Sequence, residues 1–206
     1  MRKIILSVLV LSLIGIFSCG KDETAPKVIL KGDAKISHIL NSEFIEPGFA
    51  AFDNEDGDIT AKVQVSNLDI DKAGKQNINY TVTDTEGNEG KISREITVFN
   101  EAEIIEGYWS GEYIYPYPSG NNVTYNENIA TSESKNMDVV FTHFGNNTDS
   151  KVEATLIDNK MSFEDTTING KDLSVTKATL SNEKQRITIE YTYDGQNGVL
   201  VLVKNI

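Results

Sequence analysis

The chain has 206 residues, a formal net charge of −12 and a single cysteine. A strongly acidic chain without a basic patch repels phosphate backbones, which argues against nucleic acid as a partner. One cysteine cannot form an internal disulfide, so each folded core must be stable without cross-links. The length suggests one or two domains.

The first 18 residues have the features of a secretory leader. Arg2 and Lys3 give a positive start, and residues 4–17 are almost wholly apolar. This run of about 14 residues is shorter than the roughly 20 that a membrane-spanning helix needs. We therefore expect a signal peptide over residues 1–18, with a short N-terminal transmembrane helix as the alternative.

The end of the leader contains the only cysteine. The segment Ile16-Phe17-Ser18-Cys19 resembles the lipobox of bacterial lipoproteins, with Phe17 bulkier than is usual there. The resemblance implies lipidation of Cys19 by diacylglycerol, cleavage before it and acylation of the new amine, so a membrane is the expected partner. Each buried methylene contributes about 0.8 kcal/mol, and several acyl chains therefore anchor stably. Ordinary secretion is the alternative.

Residues 19–25 form a polar tether behind this cysteine. Its start, Gly20-Lys21-Asp22-Glu23, is similar to the export signal of surface lipoproteins in the Bacteroidota. The similarity implies an outer-membrane lipoprotein exposed at the cell surface. A merely solvated tether is the alternative, because charged residues there need no other reason.

The pattern of residues 26–99 predicts an all-β domain, a β-sandwich. Short alternating stretches separated by Gly, Pro and Asp turn signals are typical of antiparallel strands. We expect these strands near residues 27–31, 35–40, 49–52, 62–65, 76–83 and 91–99.

The same segment resembles the bacterial Ig-like repeat first named in insecticidal crystal toxins and common in Bacteroidota lipoproteins. The motifs follow the family's order: Glu46-Pro47-Gly48-Phe49, Asp56-Gly57-Asp58-Ile59-Thr60, Tyr80-Thr81-Val82-Thr83-Asp84 and Arg94. The resemblance implies a spacer or adhesion module, and it implies no reaction.

The sequence predicts an acidic linker over residues 100–105 and a second, antiparallel β domain over residues 106–206. Eight up-and-down strands are enough to close a barrel and remove free edges. The opening Gly-x-Trp-x-Gly-x-Tyr pattern at residues 107–113 resembles the lipocalin-like C-terminal domain of similar lipoproteins. A half-barrel or a twisted sandwich is the alternative. The expected strands span residues 108–117, 122–130, 136–143, 151–157, 160–164, 172–180, 185–193 and 198–204.

Acidic residues of two Ig-like loops form a candidate calcium site. Calcium takes six to eight oxygen ligands in flexible geometry, and a cation would relieve repulsion among the carboxylates. Turn chemistry is the favoured alternative, since Asp and Gly dominate turns. The candidate ligands are Asp53, Glu55, Asp56, Asp58 and Asp84.

An aromatic stripe at the start of the second domain is a candidate ligand-binding face. On a strand, Trp109, Tyr113, Tyr115 and Tyr117 share one side. Planar rings can stack on a sugar, which makes a glycan a candidate ligand. The commoner fate of such a stripe is core packing inside the barrel.

Catalytic machinery is not visible in the sequence. The only histidines, His38 and His143, stand in no triad-like order and in no metal-ligand spacing. The sequence therefore predicts a non-enzymatic lipoprotein whose Ig-like spacer presents the distal domain to a glycan or an envelope protein. The alternatives are a scaffolding component of an envelope complex without a small ligand and a lipocalin-like carrier of an apolar ligand.

Overall fold

The computed structural model describes residues 21–148 and 150–205. The leader and Cys19 lie outside this range, so signal-peptide cleavage and lipidation stay predictions. In the part of the chain that the structure describes, helices are short, and none is long and apolar enough to cross a membrane.

The N-terminal region folds as two sheets packed face to face. One sheet has the order β1-β3-β4 and the other β2-β7-β6-β5, with β2 parallel to β7. The predicted Ig-like sandwich is confirmed. The expected strand at 62–65 is shorter, because a 3₁₀ helix occupies Thr60–Lys62. The strands are β1 (Lys27–Leu30), β2 (Lys35–Ile39), β3 (Phe49–Asp53), β4 (Gly57–Asp58), β5 (Gln64–Val65), β6 (Gly74–Thr83) and β7 (Glu89–Phe99).

Alternation along the two long strands builds the core of the sandwich. On β6, Ile78, Tyr80 and Val82 are buried, and on β7 Ile96 and Val98 are buried beside them. Since side chains of a strand alternate between faces, the residues between them lie on the outer side of the sheet.

A buried arginine on β7 ties this sheet to the loops around β1 and β3. The guanidinium of Arg94 is fully buried and pairs with Glu46 at 3.1 Å. It also donates to the carbonyl oxygens of Lys31 at 2.8 Å and Gly48 at 3.2 Å. Tyr80 donates its hydroxyl to Glu46 at 2.7 Å, which completes the network. Burying this charge is tolerable only because its donors are satisfied.

The C-terminal region is a closed antiparallel barrel, as predicted. Eight strands run in the order β12-β11-β10-β9-β8-β16-β15-β14, and β12 pairs with β14 to close it. The strands are β8 (Gly107–Tyr115), β9 (Asn121–Thr131), β10 (Asp138–Phe141), β11 (Val152–Ile157), β12 (Lys160–Phe163), β13 (Thr166–Ile168), β14 (Lys171–Leu180), β15 (Arg186–Tyr193) and β16 (Gln196–Lys204).

One short strand of this region was not expected from the sequence. Strand β13 pairs only with β14, as a hairpin across the Asn169-Gly170 turn. Three residues are too few to show an alternating pattern, which is why the sequence does not predict it.

Apolar side chains fill most of the barrel interior. The core includes Ile129, Phe141, Ile189 and Leu200. Two inward glycines leave room for aromatic rings on the neighbouring strands. Gly111 faces the ring of Tyr125 across the β8–β9 pair, and Gly198 faces the ring of Tyr191 across the β15–β16 pair. At both glycines a Cβ atom would overlap the ring.

The joint between the two regions is built on Asn100. Its side-chain amide lies 2.9 to 3.1 Å from the carbonyl oxygens of Ser132 and Lys135, in the loop between β9 and β10, and of Asp138, the first residue of β10. Its side-chain oxygen accepts from the backbone N–H of Ala102, and this bond caps the start of the 3₁₀ helix Glu101–Ile105. The linker is therefore an ordered segment bonded to both sides.

A buried carboxylate holds a loop over one end of the barrel. Glu127 points inward from β9 and accepts from the backbone N–H of His143 at 2.8 Å. Tyr125 donates its hydroxyl to Glu127 at 3.1 Å and accepts from the N–H of Gly145 at 3.3 Å. Burial raises the pKa of Glu127, although the bond from His143 partly offsets it. Burial also raises the pKa of Tyr125, and the charge of Glu127 adds to that rise.

Arg94→Ala should destabilise the Ig-like region by about 3–5 kcal/mol, because it removes the buried cation that pairs with Glu46 and that donates to two carbonyl groups. Denaturant unfolding followed by circular dichroism measures this. The single tryptophan, Trp109, is in the barrel, so its fluorescence reports barrel unfolding separately and should shift less. Arg186→Ala, an exposed arginine of β15, is the control. Equal effects of the two variants would contradict the role given to Arg94.

Glu127→Gln removes a buried charge and keeps the shape of the side chain. The folded-state pKa of Glu127 lies above its ordinary 4.5, so its ionisation weakens the folded state as the pH rises above that value. We expect the free energy of unfolding of Glu127→Gln to increase relative to that of the wild type as the pH rises from 4.5 towards neutral. Urea titrations across this range measure it, with the exposed Glu153→Gln as control. A difference that does not change with pH would refute the prediction.

Candidate functional site

A tyrosine-lined cavity lies at the end of the barrel that is farthest from the linker along β8. It has a volume of about 220 Å³. Tyr113 and Tyr115 come from the end of β8, and Tyr191 and Tyr193 come from the end of β15. Alternation aims all four inward, because β8 and β15 each place every second residue in the lumen.

Hydrogen bonds and ring contacts fix these aromatic side chains. Tyr115 donates its hydroxyl to the carbonyl oxygen of Tyr193 at 2.8 Å, and their rings meet edge to face with centroids 5.6 Å apart. Tyr193 donates in turn to the carbonyl oxygen of Ile168 at 3.0 Å. Tyr113 packs edge to face against Tyr125 at 6.0 Å. The wall is therefore preorganised.

The loop held by Glu127 forms another side of the same cavity. Phe144, Asn146 and Asn147 of this loop line it, and the Phe144 ring lies 5.8 Å from that of Tyr191. The Asn147 side chain is held by Asn169, which donates to its oxygen at 2.9 Å. The cavity thus combines flat rings with side-chain amides.

The predicted aromatic stripe divides into three parts in the structure. Tyr113 and Tyr115 line the cavity, together with Tyr191 and Tyr193, which the sequence analysis did not select. The alternation of Tyr191 and Tyr193 with polar residues was the signal that could have placed them on the same inner face. Tyr117 lies beyond the end of β8, is 48% exposed and lines a separate depression beside Asn197.

The prediction that Trp109 contacts a ligand needs correction. Trp109 has 0% exposure and packs in the barrel core. Its indole nitrogen donates to the carbonyl oxygen of Ile105 at 2.9 Å. Its place near the start of β8 explains this, since the adjoining 3₁₀ helix closes that end of the barrel.

The predicted acidic residues of the β3–β4 loop mostly make local turn bonds. Asp53 accepts from the backbone N–H groups of Glu55 and Asp56 at 2.9 Å each. Asp58 accepts from the N–H of Thr60 at 3.0 Å. These bonds are the ordinary turn chemistry of aspartate.

Asp56 is committed to two further partners. It lies 3.0 Å from the ammonium group of Lys62 and accepts from the backbone of Thr85 at 3.0 Å. The hydrogen bonds from Thr85 and Lys62 lower the pKa of Asp56. Asp56 therefore bridges the two loops through a carboxylate that Lys62 and Thr85 already engage.

A different acidic group is brought together at the same end of the sandwich. One carboxylate oxygen each of Asp22, Asp84 and Glu86 lie within 4.8 Å of one another. Only Asp84 belongs to the set proposed from the sequence. The sequence analysis selected neither Asp22 nor Glu86. Asp22 belongs to the tether and lies far from Asp84 and Glu86 along the chain, so no local pattern places the three together.

Comparisons with known proteins identify the N-terminal region. Residues 28–98 match the family described as bacterial surface protein, Ig-like domain. Among curated proteins, none matches the chain.

Several solved structures resemble the chain at low sequence identity. A lipoprotein of Bacteroides thetaiotaomicron is 20% identical over 87% of this chain and 100% of its own, with a TM-score of 0.42. The CBM51-2 and INT domains of Clostridium perfringens ZmpB, solved with GlcNAc, are 15% identical over 86% of this chain and 43% of theirs, with a TM-score of 0.31. Scores this low carry no argument about function.

The family match agrees with the sequence motifs and with the two-sheet sandwich, and a surface role fits the family. The match covers less than half of the chain, so it concerns residues 28–98 alone. Residues 28–98 thus fold as an Ig-like domain and match the family described as bacterial surface protein, Ig-like domain.

Proposed function

We propose that the protein is a non-enzymatic outer-membrane lipoprotein at the cell surface that binds a neutral, ring-shaped ligand such as a sugar. The Ig-like region, residues 26–99, serves as a spacer, and the barrel, residues 106–206, carries the binding site. The observation on which this rests is the cavity walled by four tyrosines at one end of the barrel.

The position of the cavity suits a display role. Strand β8 begins directly after the linker, and Tyr113 lies six residues further on, about 20 Å along the strand. The end next to the linker is filled by Trp109 and Ile105. The opening is therefore at the end of β8 that points away from the spacer.

The chemistry of the wall favours a neutral ligand. The ten residues that line the cavity carry no formally charged side chain. Burial raises the pKa of Tyr191, and the neighbouring Tyr113 and Tyr115 raise it further. Tyr191 therefore stays a neutral hydroxyl that can donate a hydrogen bond. Tyrosine rings can stack on the apolar face of a sugar while amides and hydroxyls bond its edge.

The size of the cavity separates this proposal from a carrier function. Sites for drug-sized ligands span roughly 300–1,000 Å³, and this cavity is about 220 Å³. Apolar side chains fill the remaining lumen. The space suits one ring better than an extended apolar molecule of the kind that lipocalin-like carriers hold.

A second candidate, docking of an envelope protein, is favoured by an apolar patch outside the barrel. Ile104, Tyr108 and Val203 are 51%, 69% and 44% exposed. Two hydrogen bonds bring them together, since the side-chain ammonium of Lys204 donates to the carbonyl oxygen of Ile104 and the backbone N–H of Asn205 donates to the carbonyl oxygen of Tyr108. Exposed aromatic residues are enriched in protein interfaces.

The lipid anchor is tested by the intact mass of the mature protein. We expect a chain that begins at Cys19 and carries diacylglycerol and an additional acyl group. Cys19→Ala should abolish the added mass and leave the leader uncleaved. Ser18→Ala keeps a small residue before the cysteine and should be processed normally. An unmodified Cys19 in the mature wild-type protein would overturn this part of the proposal.

Ligand binding is tested with the detergent-purified chain on a glycan array, followed by calorimetry with any sugar detected. Tyr113→Ala should weaken binding about tenfold or more, because a stacked ring and its buried area are lost. Tyr108→Ala is the matched control, since Tyr108 is on the same strand but faces outward.

Each outcome of this experiment separates the two candidates. Weaker sugar binding by Tyr113→Ala alone supports the cavity. No binding of any sugar at millimolar concentration, or equal loss in both variants, contradicts it. Loss of a membrane-protein partner from Tyr108→Ala in a pull-down, with Tyr113→Ala unaffected, favours the docking patch instead.

A further inference from the structure

Three acidic side chains converge at the end of the Ig-like region that lies away from the linker along β7. One carboxylate oxygen of each, from Asp22, Asp84 and Glu86, lie within 4.8 Å of one another. Asp84 and Glu86 belong to the turn between β6 and β7, while β7 reaches the linker about 33 Å away at its other end. Asp22 precedes β1 and is the third residue after Cys19.

Two carboxylate oxygens in this area are buried without a donor. Asp22 is 6% exposed and Asp53 is 9% exposed. The Oδ2 atoms of both lack a hydrogen-bond partner among residues 21–148 and 150–205. The neighbour of Asp53 connects the two, since Asn54 donates to Asp22 at 3.5 Å. A buried charge without a partner costs free energy, and such charges are normally paired or coordinate a metal.

The surrounding hydrogen bonds hold the group in place without neutralising it. Asp84 accepts from the backbone N–H of Asn88 at 2.7 Å and from its side chain at 2.8 Å. Asn88 also donates to the carbonyl oxygen of Asp22 at 3.0 Å. Within the described ranges, Asp56 pairs with Lys62 and Glu89 pairs with Lys91, and no ion pair includes Asp22, Asp84 or Glu86.

Burial, neighbouring charges and hydrogen bonds shift the pKa values of two members of the group in opposite directions. Burial raises the pKa of Glu86, and the charges of Asp56, Asp84 and Glu55 raise it further. The pKa of Asp84 is lowered, because hydrogen bonds led by those from Asn88 outweigh its burial.

We propose that Asp22, Asp84 and Glu86 bind a divalent cation, and that calcium is preferred over magnesium. Calcium contacts oxygen at 2.3–2.6 Å, so oxygens on opposite sides of it are about 4.6–5.2 Å apart. Magnesium demands near-ideal octahedral geometry at about 2.0–2.1 Å and usually keeps several waters, so a group of several carboxylates suits calcium better.

The ion would join the tether to the folded sandwich. Asp22 belongs to the segment before β1, and Asp84 and Glu86 belong to the β6–β7 turn. A bound cation therefore links the tether to the body of the Ig-like region. Binding of the cation itself does not depend on the proposed sugar site or on lipidation.

Calorimetry on the full chain in detergent, stripped with EDTA and titrated with CaCl₂, tests the site. We expect one ion per chain with a Kd of about 10⁻⁴–10⁻³ M or tighter, the range of extracellular calcium modules. Asp22→Asn and Glu86→Gln should each weaken binding at least tenfold. Asp58→Asn, an exposed aspartate of β4 outside the group, should bind as wild type does.

Trypsin cleavage after Lys21 gives a second measurement, specific to the tether. Calcium should slow this cleavage in wild type and in Asp58→Asn, and it should not do so in Asp22→Asn. Thermal unfolding without calcium shows that each variant folds, since removing one of several repelling charges should not lower the melting temperature.

Three outcomes would overturn the proposal. The first is no heat and no thermal shift with 10 mM CaCl₂ beyond that of NaCl at equal ionic strength. The second is an equal loss of affinity in Asp58→Asn and Asp22→Asn. The third is calcium binding at wild-type affinity by Asp22→Asn, which would exclude the tether from the site.

Discussion

The side chain of Asn100 is the constraint on which the arrangement of the two regions depends. It is almost completely buried, and it bonds both the start of the linker helix and the loop between β9 and β10. Asn41 of the Ig-like region adds bonds to Ser134 and Asn136 of the same loop. A buried amide with all of its groups satisfied specifies one geometry, whereas an apolar contact would tolerate several. The barrel is therefore carried in a defined position.

Each of the two candidate sites lies at the end of its region that is far from this joint. The acidic group of Asp22, Asp84 and Glu86 is at the end of β7 that is away from Asn100, and the tyrosine cavity is at the far end of β8. A cation bound by the acidic group would order the tether, while the tyrosine cavity would bind the ligand. An anchored display protein needs this separation, because a site next to the lipid would be shielded by the membrane.

Buried polar groups determine the local geometry in both regions. Arg94 connects the sheets of the sandwich, and Glu127 with Tyr125 holds the loop that lines the cavity. Each holds its place only while its partners are present, since an unpaired charge in a low-dielectric interior is costly. The unpaired oxygens of Asp22 and Asp53 are the exception to this pattern, and that exception identifies the end of the sandwich where a cation fits.

The sequence by itself determined the all-β class, the Ig-like sandwich and the eight-strand barrel, because period-two alternation and turn residues are local signals. It also selected Tyr113 and Tyr115, two of the four tyrosines of the cavity. Only the tertiary structure decided that Trp109 is core, that Tyr191 and Tyr193 complete the wall, and that Asp22 meets Asp84 and Glu86. These outcomes depend on barrel closure and on the return of the tether to a distant turn, and contacts between residues far apart in the chain leave no periodic pattern in it.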